Sequence, residues 1–173
     1  MSVIQRPAAG EYAPFYAGYV DGVPEGDVVE ILERQGRELA ALLAGVAGDR
    51  GDYRYAPDKW TVKEVVGHIA DAERIFAYRA LRIARGDATP LPSFDQDGYV
   101  ERGGFARRTL TDLAAEFSAV RAATLALFRA MTDEESRRVG TASNAAVSAR
   151  GLAYIAAGHE RHHSRILRER YLK

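Results

Sequence analysis

Leu110, Leu113, Phe117, Val120, Thr124, Leu127 and Met131 follow one another at steps of three and four. A seam with that period is helical, and it is buried only against other helices running nearly parallel or antiparallel to it. Three further stretches meet the same demand. From about Asp27 to Val46, Val28, Ile31, Leu32, Leu39, Leu42, Leu43 and Val46 form one apolar stripe, and Asp27 with Glu30 has the spacing of a capping box. From Trp60 to Gly86 the start is written three times over. Thr61 can cap, Glu64 can reach back from the third helical position, and Trp60 can staple onto Val65. Val65, Ile69, Ala72, Ile75, Phe76 and Ile83 continue that face, and Gly86 stops it. The last stretch runs from about Ala146 to Leu172, with Leu152, Ile155, Ala156, Ile166 and Leu167 facing inward.

Strand signals are nearly absent, so the expected fold class is all-α: a four-helix bundle in one domain spanning residues 1–173. The first 24 residues, rich in Tyr, Phe, Pro and Gly, read as an aromatic strap over the bundle. The stretch GDATPLPSFDQDGYVERGGFARR, between the second and third helices, reads as a long loop. Its DQDG has a faint likeness to a calcium loop, but the other oxygen ligands of such a loop are missing.

The charge balance narrows the partners. Lys plus Arg and Asp plus Glu both number 24, which gives neither nucleic acid nor an anionic membrane a claim as partner. The N-terminus has no long apolar run and no stretch is long enough to span a bilayer, so the expected location is the cytoplasm. There are no cysteines, which removes disulfides, a protein thiolate and cysteine-based metal sites. A transition metal held by this chain must rest on His with Asp or Glu.

Three of the four histidines lie in GHERHHSRIL, residues 158–167. On a helical wheel advancing about 100° per residue, His159 and His163 fall within roughly 20° of Leu152, at the centre of the buried stripe, and His162 falls at its margin. His68 stands three residues after Val65 and four before Ala72, so it faces inward as well. A lone inward histidine is usually satisfied by one hydrogen bond. Three buried imidazoles cost several kcal/mol unless each is paired, and one shared ion would satisfy them together. His68, His159 and His163 are therefore the candidate metal ligands, three imidazoles with a coordination position left open. Asp71 and Glu160 are candidate partners behind them.

His159 to His163 also spells H-E-x-x-H, the zinc-protease helix signature. Only ten residues follow His163, the one acid among them continues the same helix, and no strand is readable to bind peptide along its edge. The match is expected to be accidental.

KWTVKEVVGHIADAERIFAYRA around His68 and AAGHERHHSRIL around His159 and His163 resemble the DinB-like (DinB/YfiT) family of metal-binding four-helix proteins. LPSFDQDGYV and EYAPFYAGYVDGVPEGDVVEIL resemble it too, so the likeness covers nearly the whole chain. The resemblance implies a four-helix bundle of unusual connectivity, often a homodimer. It also implies one divalent ion, zinc or nickel or similar, on the residues matching His68, His159 and His163. Relatives in that family include S-transferases using the low-molecular-weight thiols bacillithiol or mycothiol, a maleylpyruvate isomerase, and proteins described as metal-dependent hydrolases.

Three functions follow for a small-molecule substrate. The first is thiol S-transfer, with Arg102, Arg107 and Arg108 available for a cofactor carboxylate. The second is hydrolysis, with Glu160 or Asp71 as base. The third is a structural ion without catalysis. The catalytic residues are left open.

Overall fold

The computed structural model describes residues 3–173. Helix α1, Ala17–Asp21, follows a single 3₁₀ turn at Pro14–Tyr16, so the aromatic strap is itself partly helical. Helix α2, Val28–Ala44, starts where Asp27 accepts a hydrogen bond from the Val29 amide. The bond goes to the second helical residue, and the expected reciprocal box with Glu30 does not form. Helix α3, Val62–Ala84, has the full box: the Thr61 hydroxyl accepts from the Glu64 amide while the Glu64 carboxylate accepts from the Thr61 amide. Gly86, at φ +80°, ends this stretch as its sequence position demands.

The long loop contains regular structure. Helix α4, Gln96–Arg102, is capped by Asp95, which accepts from the Gly98 amide at 3.0 Å, and a 3₁₀ turn follows at Phe105–Arg107. Asp95 is thus engaged as a helix cap, which disposes of the calcium-loop likeness. Helix α5 is Leu110–Arg129 and α6 is Asp133–Arg137.

The all-α expectation needs one correction. Strands β1, Val139–Ala142, and β2, Ala145–Ser148, pair antiparallel in a two-stranded hairpin. Ser143 and Asn144 turn it at φ 52° and 60°, and Leu91 bridges to its edge. The final helix α7, Ala149–Ile166, consequently starts three residues later than its apolar pattern suggests, capped by Ser148. Its last turn, Leu167–Tyr171, widens into π form.

The four long helices pack in the cyclic order α2, α5, α3, α7. Helices α2 and α3, successive among the long helices, therefore lie on a diagonal. Their apolar side chains divide into two clusters. One holds Val28 to Leu32, Phe76 to Ala84, Leu125, Phe128 and Leu152 to Ala157; the other holds Leu39, Leu43, Val62 to Ala70, Leu113, Phe117 and Leu167. Between them each helix contributes buried polar residues: Gln35, Glu73, Arg121 with Thr124, and His159, Glu160 and Ser164. The bundle thus has a polar waist, and the candidate site lies at that level.

The N-terminal strap is tied down by charge. Glu11 forms a two-pronged ion pair with Arg150, with Arg150 Nε donating to Oε2 at 2.7 Å, and its carbonyl accepts from the Ser148 amide. The Arg150 hydrogen bond holds the Glu11 carboxyl down at about 2. Because the folded-state value lies below the usual carboxylate range, this stabilisation is complete above about pH 4.5 and is lost as pH falls toward 2. Urea unfolding should show wild type losing about 1–2 kcal/mol relative to Glu11→Gln over that window, after allowance for partial solvation.

Candidate metal centre

Helix α3 supplies His68, and α7 supplies His159 and His163 one turn apart. Ring nitrogens of all three lie within 4.8 Å of one another. Nε2 of His68 and Nε2 of His159 face each other at 3.0 Å. The ring centroids of His163 lie 4.9 Å from His68 and 4.5 Å from His159. Residues 91 positions apart in sequence are brought together here because α3 and α7 are adjacent in the bundle.

Electrostatics favour the neutral, ligating form. His68 is 3% exposed and His159 6%, and His163 is half-buried. Burial pushes the His68 imidazole down to about 4. Burial, and then the neighbouring His68 and His162, take His163 down to about 3. Burial and the other three imidazoles hold His159 well below its ordinary range. No carboxylate figures among these influences. Each ring keeps a lone pair for a cation, and cations are what such a cluster of converging nitrogens attracts.

The walls are aromatic. Tyr19 meets the His159 ring edge-on at 5.6 Å and Phe76 meets it at 5.5 Å. Trp60 lies 4.7 Å from His68 and stacks at 6.5 Å on His163. Its carbonyl accepts the Tyr171 hydroxyl at 2.8 Å, so the π turn at the end of α7 helps fix the indole. Tyr19 reaches the centre because α1 lies hard against α7: a Cβ on Gly158 would run into the Tyr19 carbonyl.

The other sequence candidates fall outside the cluster. His162 stands beside it, 5.1 Å from the His163 ring, as its marginal position implied. Glu160 faces α2, where it accepts from the Ser164 hydroxyl and lines a cavity with Gln35. Its second oxygen and the Gln35 Oε1 are both buried without a partner. Asp71 is taken up by Arg74 at 3.2 Å. Neither carboxylate backs the imidazoles, which corrects that expectation. Of the three loop arginines, Arg102 lies 3.7 Å from Asp95 and Arg108 is paired with Glu116.

The buried ion pair of Arg121 with Glu73 escaped the sequence reading. A signal was present: Leu113, Phe117, Arg121, Thr124 and Phe128 step as regularly as the chosen seam, and this alternative keeps Phe128 inside. The structure buries that set and leaves Val120 and Leu127 half-exposed.

Fold and site together define a mostly helical bundle carrying an open cluster of three neutral imidazoles between two of its long helices. The chain belongs to the DinB superfamily, whose family model matches residues 31–167. Among solved structures it is similar to YfiT from Bacillus subtilis, described as a probable metal-dependent hydrolase with an unusual four-helix bundle topology. The two share 19% identity at a TM-score of 0.71, over 92% of this chain and 94% of the other, a likeness of fold. No curated protein matches the chain. Among the described residues, no helix is long and apolar enough to cross a membrane.

Proposed function

We propose that the chain is a metal-dependent enzyme in which His68, His159 and His163 hold one divalent ion, zinc or nickel. An ion there would favour the thiolate form of a low-molecular-weight thiol of the bacillithiol or mycothiol type. The observation that carries this reading is that, among the described residues, only imidazoles converge in the cluster: Glu160 faces α2 and Asp71 is held by Arg74. A divalent ion favours the deprotonated form of the thiol or water it binds. Hydrolysis further calls for a base beside the bound water, whereas a thiol needs only its proton removed to become a strong nucleophile. That thiolate, its proton released to solvent, would form a bond from sulfur to the electrophilic carbon of a small-molecule substrate, and the leaving group would depart with the electron pair of the broken bond.

The chain's own residues orient and enclose. The three rings would hold the ion, while Tyr19, Phe76 and Trp60 wall the buried side.

Hydrolysis is the second reading, favoured by the description given to YfiT. The two separate in one assay: chlorodinitrobenzene or a similar electrophile is offered to the metal-replete protein with a panel of thiols, beside ester and amide substrates. The expected result is chelator-sensitive turnover with one thiol class. Chelator-sensitive ester or amide cleavage with no thiol turned over would establish the second reading instead.

A further inference from the structure

We infer that the groove between α1 and the outer face of α7 is a binding site for a dianionic oxyanion group, a phosphate monoester or a dicarboxylate, held by Arg161, Arg165 and Arg168. The groove encloses about 450 Å³, within the range of small-ligand clefts. The three arginines occur at steps of four and three, so they project from one side of α7. All three line the groove.

Their lack of partners is the telling feature. Fourteen other arginines stand within 4.0 Å of a carboxylate. Arg161, Arg165 and Arg168 have neither a carboxylate in range nor a hydrogen-bond acceptor among the described residues. Among the described residues Glu169 is the only acid in the lining, and it forms no ion pair with any of the three. Within the groove's own lining, three guanidiniums against one carboxylate leave two positive charges, which a dianion neutralises; on their other side Arg161 and Arg168 also border the cavity that holds Glu38 and Glu160.

Basic residues near a helix C-terminus also complement the helix dipole, and that would explain their sign. It does not explain the concavity. Gly18, Gly22 and Gly158 line the groove without side chains to fill it, and Gly158 is forced to be small by the Tyr19 carbonyl. The result is a bare backbone floor under three guanidinium forks, which match the paired oxygens of a carboxylate or phosphate. Tyr19 and His162 form the wall toward the imidazoles. The arginines themselves lie outside that cluster, so this site stands whether or not the metal reading holds.

The test is isothermal titration of the full chain, first treated with chelator so that the answer is independent of any ion on the histidines. Inorganic phosphate, phenyl phosphate, succinate and the monoanion acetate are the probes. The expected result is saturable one-site binding of one dianion class, phosphate or dicarboxylate, with acetate much weaker. Affinity should drop at least about tenfold in Arg161→Ala and in Arg165→Ala, and should weaken as salt is raised. Arg165→Lys keeps the charge but loses the fork, and should fall between. Arg170→Ala, an exposed and unpaired arginine of the same helical stretch outside the groove, should bind as wild type. No saturable binding of either dianion overturns the inference. Equal affinity in the groove variants, or equal weakening in Arg170→Ala, overturns it as well, since the attraction would then be that of the helix's general charge.

Discussion

Purified without chelator, the wild-type protein should carry about one divalent ion per chain, and His68→Ala should carry almost none. Zinc sites in small peptides bind with about 10–16 kcal/mol spread over four ligands, so one imidazole is worth about 2.5–4 kcal/mol. Losing it weakens the ion by two to three orders of magnitude, at about 1.4 kcal/mol per tenfold. His159→Ala should behave in the same way. His162→Ala should keep its metal, since that ring stands beside the cluster and is not one of the converging three. Elemental analysis reads the result directly. The single tryptophan provides a second reading: Trp60 lies 4.7 Å from the His68 ring, so quenching by added nickel should saturate in wild type and disappear in His68→Ala. Full metal content in His68→Ala would remove the centre, and the proposed chemistry with it. An ion bound only to the folded state also raises stability, so wild type should melt lower after chelation while His68→Ala should not respond.

The histidine cluster could be read from sequence because its members obey local rules. His68 shares a face with Val65 and Ala72, and His159 and His163 share one with Leu152, so helical period alone turns all three inward. That they meet is a tertiary fact: it depends on α3 and α7 being neighbours, which the shared cost of burying three imidazoles suggested and the family likeness supported. The capping box at Thr61 was equally legible, being set by residues three apart. The hairpin was not. Its strands have four residues each, too few to display an alternation, and its turn is Ser-Asn rather than the stronger Asn-Gly. Helix α4 was hidden for a related reason, since two turns with Gly98 inside them and Gly103 at their end carry little periodic signal, and their cap, Asp95, resembled something else. Glu160 misled because sequence adjacency to His159 says nothing of direction. One residue is about 100° of helix, enough to turn the carboxylate toward α2.

Arginine at position 121 shows the same limit at larger energetic scale, and removing it should be among the most damaging single changes. Its side chain is 4% exposed and that of Glu73 3%. Nε and Nη2 donate to the two Glu73 oxygens at 2.7 Å each, and Nη1 donates to the Leu32 carbonyl. One guanidinium thus joins α5, α3 and α2 across the polar waist. It also lies over the Phe117 ring and against Gly36, where a Cβ would come within 2.9 Å of its Cγ. Arg121→Met keeps much of the volume but leaves the Glu73 carboxylate buried without a counter-charge. The expected cost is about 3–5 kcal/mol by urea unfolding, the range for breaking a buried pair on one side. The double variant Arg121→Met with Glu73→Leu should recover most of the stability, since an apolar pair of similar size bears no desolvation cost. If the single change costs less than about 1 kcal/mol, water reaches the waist and the pair is not sealed as described. Metal content provides the control: well below its lowered melting temperature Arg121→Met should still hold its ion, because the loss acts on the bundle and leaves the three imidazoles in place.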